Sequence, residues 1–375
     1  MIDFKKRLSS LKDRRQGALA RATLEKMAIN ESLGLESSSL DDRKTEGYEA
    51  LTQSAAIRYT IGAMSAVDEK STQVSISEGE RVASTLVNLL ETDGINTCFR
   101  MQGSVPLDVH IKGHSDVDML VLLRDIFISE KPYATGVTYY PSSDTRSMVD
   151  IVKELREKCE EKLTSRYFVA DVDCDKAKSI EMSGGSLRRK IDIVPSCWYN
   201  NIDYQLTGDE TERQVRIYNK EEHVLIGNSP FKHIKLVDQK DKRYNGNLKK
   251  CVRLVKNLVA DMPEDKKNTA KKLSSFDIVG IVYNMNDLLQ ASHHTPLALV
   301  NALRVQFGLL KLVEATRDIK VPDGSRKVLD SEEKITALGV IYDEILALSE
   351  ALNKDIDPWS TSYKPERLTE KVIWF

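Results

Sequence analysis

Three short segments in the middle of the chain carry the residues best suited to chemistry. They are Gln102-Gly103-Ser104, Ser115-Asp116-Val117-Asp118-Met119 and Lys190-Ile191-Asp192-Ile193-Val194-Pro195. Side chains alternate between the two faces of a strand, so Asp116 and Asp118 share one face if their segment is a strand. Two neighbouring carboxylates repel each other, and burial makes this repulsion more costly. Divalent cations between them would remove the cost, so the pair predicts a metal site.

Asp192 is a third candidate ligand, since it stands between Ile191 and Ile193 in a segment with the composition of a buried strand. If this strand neighbours the Asp116 strand, the three carboxylates converge. Magnesium prefers carboxylate and phosphate oxygens. Two Mg²⁺ ions, for which Mn²⁺ could substitute, can activate an attacking hydroxyl and neutralise a leaving pyrophosphate. Asp192 could also help to remove the hydroxyl proton. The sequence therefore predicts Asp116, Asp118 and Asp192 as catalytic metal ligands.

The Gly103-Ser104 pair directly follows a predicted strand. Glycine lets the backbone approach a phosphate closely, and backbone N–H groups together with the Ser104 hydroxyl can bind β- and γ-phosphates. Alone, a Gly-Ser pair is usually an ordinary turn, and a lone Asp-x-Asp is often a solvated edge. The three segments together, in this order, indicate a nucleotidyltransferase-type site.

Composition restricts the class of protein. The chain has 375 residues, of which 41% are hydrophobic and 30% charged, which predicts a globular protein of about two domains. No apolar run reaches the roughly 20 residues of a membrane span, and no apolar segment follows the charged first residues, so we expect a cytoplasmic protein without a membrane partner. Five cysteines without CxxC spacing are typical of reduced thiols. A formal net charge of −2 disfavours a protein that coats nucleic acid.

Hydrophobic periodicity predicts helices, then a mixed sheet, then helices again. Strands are expected at 96–101, 115–123, 167–172 and 187–194. Helices are expected at 24–33, 48–66, from Ser77 as N-cap to about 90, and at 151–164, 248–261, 275–290, 296–315 and 331–352, with a loop at 36–42. These patterns divide the chain into a helical or flexible lead-in at 1–50, a core with N-terminal helices at 51–245, and a C-terminal helical domain at 246–375.

The order of Gly103-Ser104, Asp116-Val117-Asp118 and a later strand aspartate resembles the signature of polymerase-β-like nucleotidyltransferases. Further stretches resemble the bacterial cGAS/DncV-like enzymes, and the resemblance spans roughly residues 50–300. These stretches are Arg58 to Met64, Val67-Asp68, Glu80-Arg81-Val82, Ile191 to Pro195, Leu248 to Lys256, and Ser274 to Asp277.

This resemblance implies an α+β fold: a polymerase-β-like core, with a mixed sheet and flanking helices, joined to a C-terminal helical domain like that of oligoadenylate synthetase. It also implies synthesis of a cyclic di- or trinucleotide from nucleoside triphosphates, ATP among them, that activates an effector in anti-phage defence. By position, the three aspartates match the metal ligands. The residues that match nucleotide contacts are Gln102, Ser104 and the intervening Gly103, with Lys256 and Ser275 holding the triphosphate.

Alternatives remain open at this point. A nucleotidyltransferase that modifies a protein, a tRNA or a small molecule would share the three aspartates, whereas a non-catalytic binding module would not need all of them. Lys256 lies three residues after Arg253 on a predicted helix, where a phosphate ligand and a solvated helix face are both compatible with the pattern. The basic run 187–190 is a surface turn or a phosphate attractor. An activating or conjugating protein is a further partner that the resemblance suggests, and the net charge disfavours a nucleic-acid activator.

Overall fold

The computed structural model of the protein describes residues 2–15, 46–113 and 116–374, so the helix predicted at 24–33 and the loop predicted at 36–42 lie outside the described residues. The chain divides into two compact units, which we call the helical unit and the sheet unit. The helical unit comprises Met1–Val67, Val109–His114 and Gln239–Phe375, and the sheet unit comprises Asp68–Asp108 and Ser115–Asp238.

The helices of the described residues are, in chain order, α1 (4–15), α2 (Ala55–Met64), α3 (Glu69–Thr92), α4 (Met148–Arg166), α5 (Ile202–Thr207), α6 (Pro230–Arg243), α7 (Asn247–Ala260), α8 (Glu264–Ala270), α9 (Ser275–Tyr283), α10 (Ala298–Leu312), α11 (Glu332–Ile356) and α12 (Glu366–Glu370). The strands are β1 (Thr97–Gln102), β2 (Val117–Ser129), β3 (Asp171–Asp173), β4 (Ile180–Ser183), β5 (Ile191–Asn200), β6 (Gln214–Asn219) and β7 (Val224–Asn228). Short 3-10 helices lie at Gly47–Glu49, Glu210–Glu212, Asn286–Leu289 and Glu314–Thr316.

The sheet unit is built on one mixed sheet. Its strand order is β1-β2-β5-β4-β3, and β6 joins the second half of β5 and pairs with β7. Strands β2 and β5 run parallel at the centre, and the other neighbours are antiparallel. The predicted α+β class, with a mixed sheet, flanking helices and a helical C-terminal part, is confirmed.

The central strands are apolar on both faces. On one face of β2, Val117 and Met119 pack into a core that includes residues of α3 and α4. On the other face, Leu120 and Leu122 pack with Trp198 of β5 in a second core. Asp118 and Asp192, near the start of the two strands, are partly exposed acidic positions next to these buried residues, and the packing of both faces fixes the register that brings them side by side.

Several local predictions are wrong for identifiable reasons. Ser77 is not an N-cap, because α3 begins at Glu69 with the Asp68 side chain accepting from the Ser71 N–H at 2.9 Å. Its first turns are polar because the hydroxyls of Ser71 and Ser75 accept hydrogen bonds from Arg189, at 3.0 and 3.1 Å. This polar start carries no apolar periodicity that a sequence pattern could detect.

The strand predicted at 167–172 is mostly a turn, since the Ala170 N–H bonds to the Tyr167 carbonyl and only Asp171–Asp173 pairs. The helix predicted at 275–290 ends at Tyr283 and continues as a separate 3-10 turn. Three strands and two helices of the sheet region were not predicted, namely β4, β6, β7, α5 and α6.

The helical unit is organised around α7, whose side chains are mostly buried. Helix α2 packs on it, and two side chains of α7 bind the last carbonyls of α2: Arg253 Nε donates to the Met64 carbonyl at 2.8 Å, and Asn257 Nδ2 to the Ala63 carbonyl at 3.0 Å. These carbonyls are the ones that a helix leaves without internal partners. Helix α2 therefore packs within the helical unit, whereas the predicted range 51–245 groups it with the core as one of its N-terminal helices. No helix within the described ranges is long and apolar enough to cross a membrane.

The start of α9 is held by a buried carboxylate. Asp277 is 1% exposed, and its Oδ2 accepts from the Ser274 N–H at 3.0 Å and the Ser274 hydroxyl at 2.7 Å. Its Oδ1 pairs with Arg326 at 2.7 Å and Lys334 at 3.2 Å. A buried charge of this kind is stable only while its cations remain in place.

We expect Asp277→Asn to lower the free energy of unfolding by about 3 kcal/mol, because two cations then lose a buried partner. Asp330→Asn is the matched control, since Asp330 pairs with Arg326 and Lys334 but is 39% exposed, and its loss should cost below about 1 kcal/mol. Urea unfolding of both variants measures the difference. Equal losses would contradict a special role for the buried carboxylate.

Candidate active site

Three of the predicted site residues lie in one row across the sheet. Gln102 of β1 is opposite Asp118 of β2, which is opposite Asp192 of β5. The row continues through Glu181 of β4 to Asp173 of β3. Because residues that are paired on neighbouring strands point to the same face, Asp118, Asp192 and Glu181 share a face. The first two of these were predicted from the sequence and the third was not.

The Gly103 turn lies directly against Asp118. Gly103 follows β1 with φ of +81°, and a Cβ atom added there would collide with the Asp118 carboxylate. Only glycine adopts this backbone conformation readily and leaves the space. On the same strand, the Gln102 side chain accepts a hydrogen bond from Asn228 Nδ2 at 3.2 Å. The structure thus brings together the Gln102-Gly103-Ser104 segment and the Asp-x-Asp segment.

The surroundings of Asp192 perturb the pKa of its carboxyl. Burial raises the pKa of its carboxyl, the nearby Lys176 ammonium lowers it, and the charges of Asp116 and Glu181 raise it further, so that the pKa is raised overall. The Ser179 hydroxyl lies 3.3 Å from Asp192 Oδ1 and donates to it. Asp116, which lies two residues before Asp118, is therefore close enough for its charge to affect Asp192.

We call Asp118, Asp192 and Glu181 the acidic row. Two lysines compensate part of its negative charge. Lys176 Nζ lies 3.6 Å from Asp192 Oδ1 and also pairs with Glu181, while Lys190 Nζ lies 2.8 Å from Glu181 Oε1. Hydrogen bonds from Lys176 and Lys190 lower the pKa of Glu181. Burial lowers the pKa of Lys176, but its hydrogen bond to Glu181 and the charges of the surrounding carboxylates outweigh burial and raise it.

Sequence reasoning missed Glu181 and Lys176. One signal was available, because Glu181 stands between Ile180 and Met182 as Asp192 stands between Ile191 and Ile193. The basic run 187–190 faces other partners: Arg189 binds α3, and Lys190 binds Glu181. The run lies at the surface, with Arg188 and Lys190 exposed, as expected for a surface turn, and it is tied to the sheet unit by these contacts.

The row has the donor chemistry that a divalent cation needs. Carboxylate oxygens are the protein ligands Mg²⁺ prefers, and the ammonium beside Asp192 shows that positive charge is stabilised there. Among the residues that the structure describes, no three His, Cys, Asp or Glu side chains form a ready-made ligand cluster. The carboxylates fit a metal by type and by face.

The two remaining predicted nucleotide contacts lie in the helical unit. Lys256 is on α7 and is 8% exposed, so its ammonium is not part of a solvated helix face. Ser275 is the exposed first residue of α9, after the N-cap Ser274. Arg253, one turn before Lys256, is occupied by the Met64 carbonyl. The phosphate contacts of Lys256 and Ser275 remain predictions.

Comparison with known proteins gives concordant matches. The family model of the cGAS/DncV-like nucleotidyltransferase C-terminal helical domain matches residues 235–340. The cyclic dinucleotide synthase CdnE of Yersinia aleksiciae is 34% identical over 358 residues, which cover 93% of this chain and 90% of that protein. A c-di-GMP synthase of a Lachnospiraceae bacterium is 31% identical over 270 residues, covering 67% of this chain and 75% of that protein.

Among solved structures, the STING-associated CdnE c-di-GMP synthase of Capnocytophaga granulosa superposes with a TM-score of 0.68 at 25% identity. The match covers 94% of this chain and 99% of that one. Sequence and fold therefore agree over nearly the whole chain, and the chain belongs to the cGAS/DncV-like nucleotidyltransferase family.

Proposed function

We propose that this protein joins nucleoside triphosphates into a cyclic dinucleotide and releases pyrophosphate at each bond. The observation that carries the proposal is the register that sets Gln102, Asp118 and Asp192 side by side, with the Gly103 turn against Asp118. The names of the relatives support a cyclic product, and among those compared above a dinucleotide is favoured over a trinucleotide.

In the proposed reaction, a ribose hydroxyl of one nucleotide attacks the α-phosphorus of another. The new O–P bond forms as the bond to the bridging oxygen breaks, and pyrophosphate leaves. Bound Mg²⁺ would lower the hydroxyl pKa and neutralise phosphate charge. Asp116, Asp118 and Asp192 would hold the metal ions, and Asp192 would accept the hydroxyl proton. The same step, repeated within the linear intermediate, closes the ring.

The remaining contacts would position the triphosphate. Backbone N–H groups of the Gly103-Ser104 turn and the Ser104 hydroxyl donate to phosphate oxygens, and Gln102 contacts the donor nucleotide. Lys256 supplies a point charge for the triphosphate, and Ser275 supplies a hydroxyl at the start of α9. We further propose that the cyclic product acts in the cytoplasm on an effector of anti-phage defence, with a partner protein able to control activity.

The first test removes single carboxylates. We expect Asp116→Asn, Asp118→Asn and Asp192→Asn each to lower product formation by roughly 10³-fold, since each removes a ligand that stabilises transition-state charge. Asp173→Asn, at the far end of the same row, is the matched control and should keep activity. Each protein is incubated with labelled triphosphates and Mg²⁺ or Mn²⁺, and phosphatase-resistant products are identified by mass spectrometry.

The same experiment separates the two candidate functions. A resistant product of cyclic dinucleotide mass from the wild type supports the proposal. Label that migrates with a protein, a tRNA or a small-molecule acceptor, without a free cyclic product, would instead identify an enzyme that modifies this acceptor. Full activity in Asp192→Asn would refute the assignment of that residue.

A second test concerns the Gly103 turn. Gly103 and Gly136 have nearly equal φ, +81° and +82°, but a Cβ at Gly136 meets nothing within 4 Å. Alanine at either position should therefore cost about 1 kcal/mol of stability through backbone strain. We expect Gly103→Ala alone to lower product formation, by about 100-fold, because the added carbon displaces Asp118. Similar activities of the two variants would exclude a role for the turn.

A third test addresses Lys256. We expect Lys256→Met to raise the KM for the triphosphate about tenfold with a smaller change in kcat, because one charge-assisted hydrogen bond to phosphate is lost. Lys249→Met on the same helix is the control. Steady-state kinetics on folded proteins give both constants, and a fall in kcat without a change in KM would argue against triphosphate binding by Lys256.

A further inference from the structure

The acidic row contains a pair of like charges that needs compensation before any metal arrives. Asp192 and Glu181 are direct cross-strand partners of the antiparallel pair β4–β5. Both side chains are largely buried, at 15% and 17% exposure. Like charges that are directly opposite each other destabilise a sheet, and burial strengthens the effect. A cation close to both carboxylates therefore stabilises this pair of strands.

Lys176 supplies this cation. Its ammonium pairs with Glu181 and lies 3.6 Å from Asp192 Oδ1, so one charge serves both carboxylates. Lys190 also pairs with Glu181, at 2.8 Å, but has no described ion pair with Asp192. The two lysines thus carry equal charge in the same cluster, and both interact electrostatically with Asp116. Among the ion pairs of the described residues, that of Lys176 reaches Asp192.

The backbone that carries Lys176 is anchored from behind the sheet. Arg156 of α4 is 2% exposed, and its Nη2 donates to the carbonyls of Cys174 and Lys176 at 2.9 and 3.2 Å. Glu160 holds the same guanidinium at 2.5 Å. The β3–β4 connection is therefore fixed at the base of Lys176, whereas its side chain is 39% exposed and can swing into water.

We propose that Lys176 is a built-in counter-cation of Asp192, which holds the acidic row together without metal and withdraws when a divalent ion binds. The inference rests on the metal site of the proposed function and is independent of the identity of the product. Its consequence is that the free protein binds divalent ions more weakly than its carboxylates alone would, because each ion competes with an ammonium already in place.

The test measures binding of Mn²⁺ alone, without nucleotide, by the electron paramagnetic resonance signal of the free ion. We expect Lys176→Met to lower the Mn²⁺ dissociation constant about tenfold, because a positive charge close to Asp192 is removed. Lys190→Met should change it less than about twofold. Lys176→Arg should resemble the wild type, and the tenfold difference should shrink as ionic strength rises.

Stability supplies a second measurement. Without metal, Lys176→Met should unfold at a lower temperature than Lys190→Met, and saturating Mn²⁺ should reduce the gap, because the ion then replaces the lost ammonium. Lys176→Gln, which is neutral and shorter, tests the same expectations should Lys176→Met not fold.

The outcomes distinguish two failures. Asp192→Asn defines the background, and wild-type binding that does not exceed it overturns both the metal site and the counter-cation. Specific Mn²⁺ binding that Lys176→Met leaves unchanged or weakens overturns the counter-cation alone. An equal effect of Lys190→Met shows that total charge, and not the position of Lys176, sets the affinity.

Discussion

Repulsion among carboxylates on one sheet face is the constraint on which the rest of the sheet unit depends. Asp118, Asp192 and Glu181 stand on three adjacent strands in direct register. Repulsion between their like charges disfavours this register. The register is imposed by the apolar residues around them, because a shift of β2 by one position would exchange the side chains of its two packed faces and carry Asp118 to the opposite face. Hydrophobic burial thus holds in place a charge arrangement that is unfavourable until cations compensate it.

The neighbouring elements contribute to this compensation in different ways. The turn after β1 leaves space for one carboxylate through a glycine. The β3–β4 connection places the Lys176 ammonium beside Asp192, and Lys190, directly before β5, places a second ammonium beside Glu181. Helix α4 secures that connection with a buried arginine on the opposite side of the sheet. The segments nearest the acidic row therefore have a backbone held by hydrogen bonds and charged side chains directed to the row. This arrangement suits the charged substrates of the proposed function.

The sequence predicted those parts of the fold and site that depend on residues close together in the chain, and it did not predict those that depend on contacts between distant residues. Strands β2 and β5 were found because apolar residues flank Asp118 and Asp192, and β1 because Thr97, Cys98 and Phe99 have the composition of a strand. Helices α7, α10 and α11 were found because their apolar residues recur with helical period. The Asp-x-Asp pair and Asp192 carried chemistry that residue type alone suggests. In contrast, the partnership of Glu181 with Lys176 depends on how β4 pairs with β5, and no spacing within the chain encodes it. The polar start of α3 was missed for the same reason, since its hydroxyls serve Arg189, more than a hundred residues away.

The helical unit is discontinuous in sequence, and this has a consequence for how the protein can be made. Most of its residues come from the two ends of the chain, and the whole sheet unit lies between these ends in sequence. During synthesis, the sheet unit can complete its core before the segment from Gln239 onward exists, whereas α2 waits for α7 before its final carbonyls find the side chains that bind them. A fragment limited to the C-terminal helices would lack that N-terminal helix. Helix α1 belongs to the same unit, since Arg7 pairs with Glu344 and Arg14 with Asp261. Production of the helical unit as a separate module therefore requires the N-terminal segments 2–15 and 46–67 to be supplied alongside the C-terminal helices, as a second chain or through a new linker.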